Sequence, residues 1–339
     1  VARRRARDWI VASHDRAVHV EDGAAELHRV DWGATAVGIA ALRLAPTDSV
    51  PPLRSPPFHI RYQFHLRDNG SVKRGRSQLT VTVTTTQVTL VQIDNYGPWT
   101  VTPEPRREMD LQALQSRLFA DIAQFMGPRD AYVFSTRYDN MIAVTNGLDG
   151  AAHAALQESI GNRYPVSVSL GTGVAERPID ALESANRLLQ TEGSAQDEGR
   201  TEVLAGDYLT ETTPSDLQIA HFDVVNVTGK YTDRLNEFDT FLNVERAYGS
   251  LTRYLRETHG ALSFFVGGDN VVAVCPDLPE RAFADAVAHV ADDAGIELQV
   301  GVGRGASAHE AGFAAKHALE ACRDGGTSVE LSGTPVLGD

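Results

Sequence analysis

The chain has 339 residues, 42 % of them hydrophobic, and a formal net charge of −14, a length that accommodates two domains of ordinary size. It has no apolar run long enough to span a bilayer and no apolar segment behind the arginine-rich start to make a signal peptide. Two cysteines, Cys275 and Cys322, supply neither a disulfide framework nor a zinc-ligand pattern, so a cytoplasmic protein with no membrane partner is expected.

Charge divides unevenly. Residues 1–83 hold 13 Lys/Arg against 8 Asp/Glu, and residues 84–339 hold 18 against 37. The acidic part contains only two lysines, Lys230 and Lys316. Such a surface argues against general nucleic-acid binding, which needs positive charge to displace counterions. It suits a protein kept soluble in high salt by hydration and self-repulsion.

Residues 1–83 read as foreign to the rest. The proline cluster at 51–57 blocks regular structure, and a short helix at 34–43 and a strand at 58–65 are the only local signals. The expectation is a disordered segment or an over-extended start of translation, with a small regulatory domain as the alternative. From 84 onward the chain repeats itself. QVTLVQID at 87–94 matches LQIAHFD at 217–223, AYVFSTRYDNMIAV at 131–144 matches ALSFFVGGDNVVAV at 261–274, and the stretches around Gly171 and Gly301 match. Asp94 and Asp223 are 129 apart, Asp139 and Asp269 130, and Gly171 and Gly301 130.

In the first copy a strand is predicted at 87–94, where β-branched residues alternate. A helix follows at 108–126, with Leu111, Leu114, Leu118, Ile122 and Phe125 on one face. Strands at 131–136 and 140–145 flank a tight turn. A helix at 149–161, a strand at 165–171 and a helix opened by Pro178 complete the copy. The second copy repeats this order over 217–331, and polar residues 191–213 link the two. The fold class is therefore α+β, a tandem duplication of a ferredoxin-like βαββαβ module. The first module is set at 84–205, the second at 206–332 and a tail at 333–339.

Asp94 ends the first strand and Asp139 lies in the neighbouring hairpin turn. Two such carboxylates can hold Mg²⁺ and leave positions for water and phosphate. Asp223 and Asp269 form the corresponding pair, with Asn270 as a further candidate for a metal or other ion. An aspartate in a turn also serves local hydrogen bonding, but repetition in both copies favours metal.

The turn Gly267-Gly268-Asp269-Asn270 resembles the hairpin of diguanylate cyclases, which share a palm with class III nucleotide cyclases. Its counterpart is Arg137-Tyr138-Asp139-Asn140, and Asn270 departs from the glutamate of the diguanylate motif. More specific are QIDNYGPWTVTP at 92–103, PRRE at 105–108, DLQALQSR at 110–117, NRYP at 162–165 and GSAQDE at 193–198. Over about 87–331 these words resemble archaeal GTP cyclohydrolase III. That resemblance implies hydrolysis of GTP at C8–N9 with the formyl group retained and pyrophosphate released. The product would be 2-amino-5-formylamino-6-(5-phosphoribosylamino)pyrimidin-4(3H)-one, for flavin and deazaflavin synthesis. It also implies Mg²⁺, activation by K⁺ or another monovalent cation, and a homo-oligomer.

On this reading Asp94, Asp139 and Asn95 would hold Mg²⁺. GTP would be bound by Tyr96, Gly97, Trp99, Arg106, Arg107, Gln112, Gln115 and Asn140. Glycine allows backbone to approach phosphate, the arginines meet a tetra-anion, and Trp99 can stack on guanine. Arg106 and Arg107 can equally form surface salt bridges to Glu104 and Glu108, and Trp99 can equally anchor a loop. Copy 1 has one histidine, His153, and no cysteine, so a zinc centre is not expected there, and no general base stands out. The first copy, which alone keeps the Asn95–Trp99 loop, is expected to carry the chemistry. A nucleotidyl cyclase and a non-catalytic nucleotide sensor are the alternatives.

Overall fold

The computed structural model describes residues 84–209 and 217–332 and, before them, the backbone of five strands. It divides into two compact units, Val1–Thr82 and Val83–Asp339. In the first unit β1 (Asp8–Val11), β2 (Ala17–Glu21) and β3 (Ala24–Leu27) form one antiparallel sheet. β4 (His59–Asp68) and β5 (Ser71–Thr80) pair antiparallel from His59↔Thr80 to Asp68↔Ser71. The expected strand at 58–65 falls on β4, whose Ile60, Tyr62, Phe64 and Leu66 alternate with polar residues. Asn69-Gly70, the sequence between β4 and β5, is a pair favoured in two-residue hairpin links. The expected helix at 34–43 and the tail at 333–339 lie outside the described residues.

The second unit holds both modules. The first contains β6 (Thr86–Ile93), α1 (Tyr96–Val101), α2 (Glu108–Met126), β7 (Tyr132–Ser135), β8 (Asn140–Val144), α3 (Gly150–Gly161), β9 (Val168–Ala175), α4 (Pro178–Thr191) and β10 (Leu204–Gly206). The second contains β11 (Leu217–Val224), α5 (Glu237–His259), β12 (Leu262–Gly267), β13 (Asn270–Cys275), α6 (Glu280–Ala294), β14 (Leu298–Gly305), α7 (Ala308–Gly325) and β15 (Val329–Leu331). The sheets run β10-β9-β6-β8-β7 and β15-β14-β11-β13-β12, the same order twice. Each is the antiparallel ferredoxin-like sheet extended by a short parallel edge strand, β10 or β15. These edge strands, like α1, were not expected, because three to six residues carry too little periodicity to register.

The helices form where apolar spacing and end residues agree. α2 buries Leu118, Ile122 and Met126, spaced by four, and places Glu108 and Asp110 in its first turn, where the helix dipole favours acids. α5 stops at Gly260, left-handed at φ 69°. The pairs α2/α3 and α5/α6 cover one face of their sheets. The opposite faces share a single core with α4 and α7, joining Val88, Leu90 and Ala185 of one module to Ile219, Val272 and Ala315 of the other. Gly173 and Gly303 make the close approach of α4 and α7 possible, since a Cβ on either would strike the Ala181 or Ala311 carbonyl. Phe134 stacks on Phe264 with centroids 4.2 Å apart and parallel planes. Ile179 N donates to Gly260 O, and His309 N donates to Asp130 O, both at 3.0 Å.

Candidate functional site

Sheet register decides which residues of the two modules correspond. Gln87 Nε2 donates to Leu148 O at 2.9 Å, and Gln218 Nε2 donates to Leu278 O at 3.0 Å. Asn95 and Asn226 both adopt the left-handed conformation, at φ 48° and 56°. Asp94 N donates to Ser167 O as Val225 N donates to Glu297 O. Gln92 lies opposite Ser169, and Asp223 opposite Gln299. Asp223 therefore occupies the place of Gln92, and the counterpart of Asp94 is Val225. This corrects the expected equivalence of Asp94 and Asp223. Side chains on a strand repeat every two residues, so a slip of two keeps both aspartates on the same face and conceals itself in sequence.

In the first module Asp94 is 3 % exposed. Its Oδ1 accepts from Ser169 Oγ at 2.5 Å, and its Oδ2 from Ser167 Oγ at 2.8 Å and Glu202 N at 2.9 Å. Those donors take most of a carboxylate's lone pairs. Asn95 N donates to Ala195 O at 2.8 Å, and Gly97 leaves room for the Gln196 carboxamide. The stretch 193–203, expected to be a link, is thus a wall of the site. Asn95 Oδ1 is buried without a partner. Asp139 accepts from Asn140 Nδ2 at 2.9 Å and meets Arg137 at 3.4 Å. Asp94 and Asp139 have separate partners, and neither is the other's. Behind Asp139 runs a chain in which Arg200 Nη1 donates to Gln92 Oε1 (2.7 Å), Gln92 Nε2 to Asn140 Oδ1 (3.1 Å), and Asn140 to Asp139.

The remaining expected residues sort clearly. Gln115 Nε2 donates to the Tyr96 hydroxyl at 2.8 Å, and burial is the main cause raising the Tyr96 phenol. Trp99 stacks on Tyr96 at 6.0 Å and carries the Arg106 guanidinium 3.8 Å above its ring. Arg106 Nε also donates to Trp99 O at 2.9 Å. Arg107 pairs with Asp110 at 2.9 Å, and Gln112 bonds Glu108 at 3.1 Å, both on the exposed surface of α2. His153 is 1 % exposed, bonded to Thr89 Oγ1 (2.8 Å) and Asp149 O (2.7 Å). Burial pushes its imidazole below the usual range, so it belongs to the core.

The second module does bring two carboxylates together. Burial first, then the charge of Asp223, raise the Asp269 carboxyl. Arg323 Nη2 lies 2.9 Å from Asp223 Oδ2, which also accepts from Gln299 Nε2 at 3.1 Å. His221 Nε2 bonds Asn270 Oδ1 at 2.9 Å, and burial lowers its imidazole. Beside them a cavity of about 180 Å³ is lined by His221, Gly267, Asn270, Lys316, Glu320 and Arg323. Facing carboxylates repel unless a proton or cation lies between them, and oxygen donors suit Mg²⁺. Asp94, Asp139 and the unpartnered Asn95 Oδ1 are the oxygen donors of the first module, and Asp223 and Asp269 those of the second; Asp94 and Asp223 both already accept bonds from protein donors. Gln92, Ser167, Ser169, Arg200, Glu202, Lys316 and Arg323 escaped the sequence reading. Gln92 opens the motif at 92–103, and Ser167 and Arg200 each stand two residues beyond one, NRYP and GSAQDE.

A family model described as GTP cyclohydrolase III matches residues 88–334. A Halorubrum lacusprofundi protein of that name is 93 % identical over 257 residues, covering 76 % of this chain and all of the relative. The Natronomonas pharaonis protein of the same name is 62 % identical over 252 residues, 74 % of this chain and 100 % of the relative. That of Methanocaldococcus jannaschii is 48 % identical over 238 residues, 70 % of this chain and 88 % of the relative.

Proposed function

The chain belongs to the GTP cyclohydrolase III family and is an enzyme of that class, and from that premise we propose that it opens the imidazole ring of GTP with Mg²⁺. Water adds at C8, the C8–N9 bond breaks, and N9 takes a proton while the formyl group stays on N7. A second water attacks the α-phosphorus, its bond to the α–β bridging oxygen breaks and pyrophosphate leaves, so that the formylamino-pyrimidine ribotide is the product, a precursor for flavin and deazaflavin synthesis.

What supports this reading is the family match over residues 88–334, together with a cavity that presents Lys316 and Arg323, the latter held 2.9 Å from Asp223. Asp223 and Asp269 would hold the divalent ion. When bound, Mg²⁺ supplies Lewis-acid polarisation of phosphate oxygens and lowers the pKa of water. Arg323, fixed by Asp223 and by Glu320 at 2.6 Å, offers a permanent positive charge to the triphosphate. Lys316, one of two lysines after residue 83, adds a second. The first module would serve recognition through the Asn95–Trp99 loop, with Asp94 bracing the 193–203 wall. K⁺ is expected to raise the rate.

Mass spectrometry after incubation with GTP and Mg²⁺ tests the reaction. Water added to the ring with loss of outer phosphates is expected. A cyclic or dimeric nucleotide with an intact purine, or unchanged GTP, refutes it. Turnover should stop when Mg²⁺ is withdrawn and persist under a zinc-selective chelator.

A further inference from the structure

We infer that Arg200 is a nucleotide-binding residue, its guanidinium donating through Nε and Nη2 to an oxygen of the bound guanine nucleotide. The inference rests on the proposed function and goes further by assigning a contact in the first module. Arg200 is 5 % exposed. Its Nη1 donates to Gln92 Oε1, whereas its Nε and Nη2 are buried without partners. Arginine keeps its proton in proteins, and burying a charge with unmatched donors is costly. Arg323 shows the usual solution, since it holds Asp223 and Glu320. Among the described residues Arg200 has no carboxylate of that kind.

Its surroundings are those of the site. Through Gln92 and Asn140 its charge reaches Asp139. Two residues on, Glu202 N is bonded to Asp94, and Ala195 O accepts from Asn95 N. Arg200 bonds Gln92 as Arg323 bonds Asp223, the residue in the same place of the second module. The acceptor is either the guanine O6 carbonyl or a phosphate oxygen, since both are oxygen atoms that suit a guanidinium. Adenine presents an amino donor where guanine presents O6, so contact with O6 would also select the base.

Equilibrium binding in chelator, without turnover, tests this independently of the ring-opening reaction. Arg200→Met removes the buried charge at similar volume. Its nucleotide-free melting temperature should equal or exceed that of the parent, while GTP binds roughly 10- to 100-fold more weakly, the range of a charge-assisted hydrogen bond. Arg200→Lys keeps the charge but lacks the planar fork, and should weaken binding with the fold intact. 2-Aminopurine riboside triphosphate, which lacks O6, separates the two acceptors. If the parent binds it as weakly as Arg200→Met binds GTP, O6 is the partner. If pyrophosphate affinity falls in Arg200→Met by the same factor as GTP affinity, a phosphate oxygen is the partner. Unchanged GTP affinity in both variants, with or without a lower melting temperature, overturns the inference and leaves Arg200 a packing residue.

Discussion

Exchanging Asp94 and Asp269 separately for asparagine should have opposite consequences. Asp94 is a buried acceptor of three hydrogen bonds, from Ser169 Oγ, Ser167 Oγ and Glu202 N. A bond to a charged acceptor contributes roughly 1 kcal/mol more than one to a neutral acceptor. Three such bonds, less the relieved cost of burying a charge, put the loss at about 2 kcal/mol. For a unit of this size that lowers the melting temperature by roughly 4–8 °C. Asp269 is different, because burial and Asp223 raise its carboxyl above the ordinary value of 3.8. A raised acid destabilises the fold once ionised, so without metal at neutral pH Asp269→Asn should melt no lower than the parent. Turnover should reverse the order. Asp269→Asn should lose at least about 100-fold in kcat, or about 2.7 kcal/mol of barrier, and folded Asp94→Asn should stay within about tenfold of the parent. Melting curves in chelator and GTP turnover with saturating Mg²⁺ supply both readouts. Abolished turnover in Asp94→Asn without a change in melting, or near-normal rates in Asp269→Asn, would refute the assignment of metal to the second module.

Arg323→Ala leaves Asp223 and Asp269 without their guanidinium, so stability should fall in chelator and recover partly with millimolar Mg²⁺, while kcat/KM for GTP drops at least about tenfold; thermal melts with and without Mg²⁺, alongside kinetics, check this. His153 is held below its ordinary value of 6.5 by burial. Its contribution to stability is present above pH 6.5 and lost as pH falls toward the depressed value, by up to about 1.4 kcal/mol per pH unit. Melts from pH 7.5 down to 5.5 should therefore slope more steeply for the parent than for His153→Gln. Removal of residues 1–83, which lie outside the family match at 88–334, should leave GTP turnover nearly unchanged, as rates of the shortened chain would show.

The long elements were legible because their signals span many residues. The helix at 108–126 was expected at the bounds at which α2 occurs, and the duplication followed from constant offsets and reappears as two sheets of one strand order. What was not legible depends on register. Matching Asp94 to Asp223 satisfied the period of a strand, and only the hydrogen bonds of Gln87, Gln218, Asp94 and Val225 reveal the slip. The second-module cluster was hidden for another reason. Arg323 belongs to no motif, and Lys316 stands out only as one of two lysines after residue 83, yet α7 carries both to the cavity. Likewise the folding of 193–203 onto Asp94 is made by backbone groups, which have no sequence signature.

Phe134 and Phe264, which stack on each other, are the same residue of two copies, 130 positions apart. The bonds Ile179 N to Gly260 O and His309 N to Asp130 O are likewise exchanged for one another by that shift. Such mutual contacts are the mark of an isologous interface, in which one patch meets itself about a two-fold axis. Here the axis runs through a single polypeptide, so the unit has the anatomy of a fused homodimer. Fusion releases a constraint that a true homodimer obeys, because a substitution no longer appears twice. Gln92 can differ from Asp223, and Gly193 from Arg323, so one half can specialise in recognition and the other in metal. At the axis that freedom ends, since a change at Phe134 must still suit its own image.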